Sequence, residues 1–569
     1  MFSTKSVASI FTVLLVTACA APKQSTVSPS LTTEITIFSI NDFHGNLQSD
    51  KPVPYLAPTE GATSNGKGAT KPAGGYAYLA SILKERRKLA PASILVGAGD
   101  LIGASPIGSS ILKDEPVIEG MNQIGLDVTS VGNHEFDGGR QDLQRKINGD
   151  CPAKGCEFPG FKGAKFDYIA ANVIDKASAQ PWLKPYVIRQ VGDIKVAFIG
   201  AVTSDTPNLV SAEGIKTLQF DEEAAAINRY IPEIKAQGIS VIVVLIHEGA
   251  NYAGAANDPS YRCEGLKGPI IDITRRLDKA VTMVVSGHSH QGYTCKIDGR
   301  LVVQARSYGA YLTETKLTIN RSNNQVVSAN ATNYLVDQGA LVADPIAQQL
   351  VDKVATLTSE IRQRVVTKLA APLTRSSGSH GFDSALGNVI SDAQLQFGLR
   401  FGPADVSFMN AGGIRSDLPS VTDSKEVDVT FGDIYAVQPF GNELVSMSLT
   451  GEQIIALLQQ QWAGRDADDP KKLFVSNGFS YHWNPASDIS QRIQDLRVHG
   501  QPIQLARSYK VIVNKFLADG GDGFTIFKQG QQRQIIGHDL EALEVYVQEQ
   551  GSKLSGVKKD RVMRSDAVK

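Results

Sequence analysis

Five short segments combine aspartate, asparagine and histidine with glycine in a pattern that can hold metal ions: Asn41-Asp42-Phe43-His44-Gly45, Gly99-Asp100, Gly132-Asn133-His134-Glu135, His247-Glu248-Gly249 and Gly287-His288-Ser289-His290. Singly, each has an ordinary explanation. An aspartate after a strand usually makes an Asx turn, an Asn-His pair is usually a turn with a solvated imidazole, and a lone histidine more often caps a strand than binds a metal. Together the segments carry five of the chain's nine histidines, and each follows an apolar run, where loops at one sheet edge converge. Carboxylate oxygens mixed with imidazoles suit zinc, manganese, iron, magnesium or cobalt. A shared carboxylate lets two such cations lie about 3.5 to 4 Å apart, as phosphoryl hydrolysis uses them.

Elements able to position these segments are visible in the same stretch. Short β-branched runs at 35–40, 93–96, 168–173, 196–199, 241–246 and 281–285 alternate with Gly-rich breaks and helix-like stretches. Such runs predict strands buried on both faces of an α/β domain, with chemistry in the loops at strand ends. Residues 34–336 form this first domain. From 343 to 366 apolar residues recur at helical spacing behind Asp344 and Pro345, a start signal, so 337–366 reads as a connecting helix. A second α/β region follows at 367–550, and 551–569 reads as a loose polar tail.

Four segments of the second region set polar or aromatic residues beside glycines: Leu386-Gly387-Asn388, the stretch from Asn410 through Gly412-Gly413 to Arg415, Gln438-Pro439-Phe440-Gly441-Asn442, and the stretch from Asn514 through Phe516 and Asp522 to Phe524. Glycine permits close backbone approach to a ligand, while Arg415 can reach phosphate and Asp522 a hydroxyl. Isolated phenylalanines are usually core residues, so residue type alone does not assign Phe440 and Phe516.

The ordered set in the first domain resembles the calcineurin-like metallophosphoesterase family, and the later segments, in matching order, resemble the C-terminal domain of the 5′-nucleotidase and UDP-sugar hydrolase family. The resemblance spans nearly the whole mature chain. It implies a four-layered α/β/β/α metallophosphoesterase domain, a connecting helix and a C-terminal α/β nucleotide-binding domain. It implies that Asp42, His44 and His290 bind one metal, that Asn133, His247 and His288 bind the other, and that Asp100 bridges them. His134 and Asp137 then form a dyad in which a carboxylate-held imidazole stabilises the transition state and assists the leaving oxygen. Without the family, Asp137 also reads as a turn residue before Gly138-Gly139. Phe440 and Phe516 sandwich the base, Asp522 holds ribose hydroxyls, and Asn410 and Arg415 contact the base edge or the phosphate side. Many relatives carry an arginine three residues before the acidic position ahead of Leu-Gly-Asn; this chain has His380 there, three before Asp383. Arg375 is the nearby substitute.

The implied activity is a 5′-nucleotidase: a metal-bound hydroxide attacks a nucleoside monophosphate, above all AMP, releasing nucleoside and phosphate. ATP and UDP-sugars are further candidate substrates. The alternatives are a UDP-sugar diphosphatase, a 2′,3′-cyclic nucleotide phosphodiesterase and, from another class, a nucleotide-binding surface lipoprotein without catalysis.

Composition narrows the setting. At 569 residues the chain exceeds one hydrophobic core, and a net charge of -1 supplies no field toward nucleic acid. Lys5 precedes an apolar stretch at 7–16 too short to span a bilayer, followed by Val16-Thr17-Ala18-Cys19. Residues 1–18 read as a signal peptide resembling a bacterial lipoprotein leader, with a plain secretory signal as runner-up. Cys19 is the lipidated residue and sole membrane link, and 19–33 are a flexible tether. Cys151, Cys156, Cys263 and Cys295 remain, an even number suited to two disulfides in an oxidising space. Cys151 with Cys156 and Cys263 with Cys295 is one of three connectivities, and a four-cysteine zinc site is disfavoured by the missing C-x2-C spacing.

Overall fold

The computed structural model describes residues 1, 31–48, 52–54, 70–376, 382–419 and 427–565. The expected leader beyond its first residue, most of the tether, Cys19 and His380 lie outside the described residues.

Two six-stranded sheets form the first domain. One runs in the order Val326–Leu335, Tyr311–Asn320, Thr32–Ile40, Ser93–Ala98, Val128–Ser130, Asp167–Ile169; the other runs Gly292–Ile297, Arg300–Ala305, Val281–Ser286, Val241–His247, Ile194–Val202, Tyr186–Val191. Their inner faces meet in one apolar layer in which Ile35, Ile37 and Val96 pack with Val196, Phe198, Val243 and Met283. The outer faces are covered too. Helix Tyr76–Leu89 supplies Leu79 and Leu83 to one side, and helices Glu223–Asn228 and Pro269–Arg276 supply Ile227, Ile270 and Ile273 to the other. Burial on both faces explains the near-continuous apolar runs. The result is the expected four-layered α/β/β/α arrangement. One expected strand differs, because 168–173 divides into Asp167–Ile169 and Val173–Asp175. Between them Asn172 is buried, its side chain donating to Val202 O at 2.6 Å and accepting from Val202 N at 3.0 Å, so a side chain takes over backbone pairing there.

The connecting helix spans Pro345–Gln363 and is capped by Asp344, whose carboxylate accepts from the amides of Ile346 and Ala347. It ends before the expected residue 366, because Val365 begins the strand Val365–Leu369, paired with Val427–Thr430; β-branched Val365-Val366-Thr367 favours that outcome.

The second domain is built on a five-stranded sheet ordered Leu473–Val475, Val406–Asn410, Ser508–Asn514, Glu443–Thr450, Gln531–His538, with helix Ala385–Gly398 packed on it. The expected loose tail is anchored instead. Val562–Arg564 adds in parallel to Phe479–Trp483, and the Arg561 guanidinium donates to both Asp392 oxygens, at 2.8 and 2.7 Å. Sequence polarity concealed this because the anchoring partners are distant in sequence: Tyr481 pairs with Val562, and Asp392 lies 169 residues from Arg561. Disulfides join Cys151 to Cys156 and Cys263 to Cys295. Among the described residues no helix is long and apolar enough to cross a membrane.

A candidate two-metal site beneath an aromatic cleft

The metal-type segments all leave the carboxyl ends of strands. Asp42 follows Thr32–Ile40, Asp100 follows Ser93–Ala98, Asn133 follows Val128–Ser130, His247 closes Val241–His247, and His288 and His290 follow Val281–Ser286. Thr32–Ile40 runs parallel to Ser93–Ala98, which runs parallel to Val128–Ser130, and in the facing sheet Val241–His247 runs parallel to Val281–Ser286. Carboxyl ends of parallel strands are where open α/β sheets bind ligands.

Local backbone geometry is unusual. Asp42, His44, Asp100, His288 and His290 all have φ between 46 and 70°, a region that costs a non-glycine residue about 1–3 kcal/mol. Neighbouring backbone holds them there: Asp42 N donates to Gly99 O at 3.0 Å, His44 N to Asp100 O at 2.9 Å and Tyr308 N to Asp42 O at 2.8 Å. At Gly132 an added Cβ would come 2.1 Å from Asp100 Oδ1, so only glycine lets these two loops approach.

Two donor clusters result, Asp42 with His44 and His290, and Asp100 with His247 and His288. Asn133 joins the second through its Oδ1, 3.0 Å from His288 Nδ1. The clusters adjoin: Asp100 Oδ2 lies 3.0 Å from His247 Nε2 and 3.6 Å from His44 Nε2. Backbone carbonyls orient the rings, with His44 Nδ1 on Gly103 O at 2.9 Å and His247 Nδ1 on Ala98 O at 2.8 Å, so their Nε2 atoms point into the site. Burial holds His44 and His288 down at about 3 and His290 well below its ordinary value, leaving neutral imidazoles. Burial, with the charge of Asp100, pushes Asp42 up to about 7. At Asp100 burial is outweighed by His247, His134 and His44, which hold the carboxyl well below the usual range.

The donor set fits two divalent cations. His44 Nε2 and His290 Nε2 lie 3.0 Å apart, and two neutral ring nitrogens facing each other in a buried site want a shared cation. His247 Nε2 is buried, and among the described residues it has no well-aligned hydrogen bond, only the Asp100 carboxylate at 3.0 Å; a metal ion held by both would satisfy the pair.

Beside the clusters, His134 Nδ1 lies 2.9 Å from Asp137 Oδ2. Burial opposes charge on this imidazole, but Asp137 and Asp100 outweigh it and raise its pKa above the ordinary value. The second domain closes over this point. The Phe440 ring lies 5.9 Å from the His134 ring at 16°, and the Arg415 guanidinium sits 5.9 Å from the Phe440 centroid. A cavity of about 590 Å³ is lined jointly by Asp100, Asn133, His134, Asp137, His288 and His290 and by Arg375, Asn410, Arg415, Phe440, Phe516 and Asp522. Asn410 Nδ2 donates to Asp522 Oδ2 at 2.7 Å and is itself aligned by Asn514, whose Nδ2 donates to Asn410 Oδ1 at 3.2 Å. The Phe516 ring stands over Gly521, where an added Cβ would come 2.5 Å from it. Arg375 donates to Arg415 O at 3.0 Å, which ties the substitute arginine to Arg415.

A sequence profile described as calcineurin-like phosphoesterase matches residues 35–292, and one described as 5′-nucleotidase, C-terminal domain, matches residues 364–529. The cell wall protein Lmo0130 of Listeria monocytogenes serovar 1/2a is 30% identical over 551 residues, covering 91% of this chain and 67% of its own length. The chain belongs to the family that joins these two domains. Members of this calcineurin-like 5′-nucleotidase family are metal-dependent phosphoric ester hydrolases. Endonuclease YhcR of Bacillus subtilis (strain 168) is 31% identical over 552 residues, and the match covers 96% of this chain but only 42% of YhcR. The fold is shared with a 5′-nucleotidase precursor from Thermus thermophilus, with a TM-score of 0.72 at 24% identity over 94% of this chain and 99% of that one.

Three residues of the site had no role in the sequence reading. The buried Glu135 carboxylate accepts from the amides of Asp100 and Leu101 at 2.8 Å each and of Gly132 at 2.5 Å; burial and the Asp100 charge push it up to about 7. Asn41 Nδ2 donates to Asp42 Oδ2 at 2.6 Å, while its Oδ1 accepts from Ala305 N at 2.7 Å. Asn41 adjoins Asp42 and Glu135 adjoins His134, a signal their motifs did carry. Tyr308 packs its ring 5.9 Å from His44 and 5.5 Å from His290, and nothing in its own stretch of sequence marks it.

Proposed function

We propose that this chain hydrolyses nucleoside 5′-monophosphates, above all AMP, to nucleoside and phosphate. The observation that carries this reading is the shared cavity in which two metal-type clusters face Arg415, two phenylalanine rings and Asp522. In it Asp42, His44 and His290 would hold one ion and Asn133, His247 and His288 the other, with the Asp100 carboxylate placed between the two groups. When bound, the two divalent ions supply Lewis acidity and a water-derived nucleophile at neutral pH. Arg415 receives the phosphate oxygens as charge-assisted acceptors, with Arg375 behind it. His134, kept charged by Asp137, donates toward the phosphoryl group and the departing 5′-oxygen. Phe440 and Phe516 stack on the base. Asn410 occupies one Asp522 oxygen and leaves the other for a ribose hydroxyl.

This division of labour binds the nucleoside with one domain and breaks the P–O bond with the other, so remote binding energy positions the phosphate. The same reading places the protein outside the cytoplasm, held by a lipidated Cys19; two disulfides suit that compartment. Turnover of AMP, ATP, UDP-glucose and 2′,3′-cyclic AMP, each with manganese, zinc, cobalt and magnesium, tests the substrate. AMP should give the highest kcat/KM. A preference for UDP-glucose or the cyclic nucleotide would replace this reading with the corresponding alternative, and inactivity on all four would favour a binding protein.

A further inference from the structure

The helix Phe431–Val437 leads directly into the Gln438-Pro439-Phe440 segment and meets the first domain on its way. Its start is fixed: Thr430 and Asp433 form a reciprocal cap, and Phe431 N donates to Arg364 O at 2.9 Å, beside the end of the connecting helix. From this helix the Tyr435 hydroxyl makes two hydrogen bonds. It donates to Pro439 O at 2.9 Å, one residue before Phe440, and it is hydrogen-bonded to Ser110 Oγ of the first domain. Ser110 ends the turn Ile107–Ser110, which follows the loop carrying Asp100. That loop is itself tied to the dyad, since Ala104 N donates to Asp137 Oδ2 at 3.2 Å.

We propose that Tyr435 is a positioning residue whose hydroxyl couples contact between the two domains to the placement of Phe440. With Tyr435 O–H committed to Pro439, the Ser110 hydroxyl donates to Tyr435, and the two bonds run in one direction from the metal-bearing domain to the backbone that carries the aromatic wall. A ring that merely filled the interface would need no hydroxyl. The chain of contacts therefore holds Phe440 parallel to His134 only when the domains meet. The base-binding consequence rests on the nucleotide-site reading above; the coupling itself does not.

Three variants separate the possibilities: Tyr435→Phe, which keeps the ring and removes both bonds, Ser110→Ala, and the double variant. For AMP, Tyr435→Phe should raise KM about 3- to 10-fold, the scale of one or two neutral hydrogen bonds, with a smaller change in kcat. The double variant should be no worse than Tyr435→Phe, because the same bond is removed twice. Amide hydrogen exchange supplies a readout that needs no turnover: in Tyr435→Phe, exchange should rise in 107–112 and in 438–442 together, with Ser508–Asn514 unchanged. Additive losses in the double variant, a fall in kcat at constant KM, or exchange that is unaltered or raised throughout the second domain would overturn the proposal. If wild type does not turn over AMP, the substrate reading fails and the exchange experiment alone decides the coupling.

Discussion

His134 stands where the two halves of the cavity meet, its Nδ1 on Asp137 and its ring face toward Phe440. It adjoins Asn133 in sequence, but its ring bonds to Asp137 and only its backbone amide reaches Asp100, so in the proposed reading its contribution belongs to the transition state rather than to metal affinity. His134→Asn is therefore expected to lower kcat about 10²- to 10⁴-fold, the range for a positioned proton donor, while metal content measured by atomic emission stays at the wild-type level. Loss of metal in this variant would make His134 a ligand. The metal-type residues were legible in sequence because each sits within a few residues of a strand end, so a local pattern reports a shared location. Tyr308 was not, since its contact with His44 arises from chain segments more than 260 residues apart.

At the scale of elements, the strand ends bring the metal-type residues together, but the loops that follow them need internal support. Glu135 supplies it by gathering the amides of Asp100, Leu101 and Gly132 with one carboxylate. Glu135→Ala would leave these buried donors unpaired, each at about 1–3 kcal/mol, and release the loop that presents Asp100. Metal affinity measured by titration calorimetry should fall about 10- to 100-fold although no proposed ligand has changed; unaltered affinity would remove Glu135 from the support of the site. The apolar runs predicted the strands because both faces of each sheet are covered, which makes periodicity unnecessary. Sequence failed where pairing was non-local or replaced: at Asn172, whose side chain substitutes for backbone, at Val365, where β-branched residues end a helix, and at Val562–Arg564, anchored through Arg561.

Across the whole molecule, the second domain reaches the metal-type clusters through the segment 438–442, and this segment is tied to helix Asp539–Gln550. Asp539 N donates to Asn442 O at 2.9 Å and Asn442 Nδ2 donates to Asp539 Oδ2 at 3.3 Å, while Asp539 Oδ1 is buried with no hydrogen-bond partner among the described residues. Burial pushes this carboxyl up to about 7. The folded protein then keeps a proton that the unfolded chain releases near its ordinary value of 3.8, so the stability contributed by the protonated form is full below about pH 4 and is lost as pH rises toward 7. Asp539→Asn should remove this dependence. Its thermal midpoint relative to wild type should rise steadily between pH 4 and pH 7.5, and a constant difference across that range would show that Asp539 is ionised in the fold.

The central claim is that one domain grips the nucleobase while the other breaks the P–O bond, and Phe516→Ala assayed on two substrates tests it most directly. Loss of one base-stacking face is worth about 1–3 kcal/mol, or about 5- to 150-fold in kcat/KM for AMP. An aryl phosphate ester without a nucleobase should lose far less, because it needs only the metals, His134 and Arg415. The comparison also controls for a damaged fold, since a cavity left by a core phenylalanine would impair both reactions. A selective loss on AMP is the predicted result; equal losses on the two substrates, or unchanged AMP kinetics, would contradict the account.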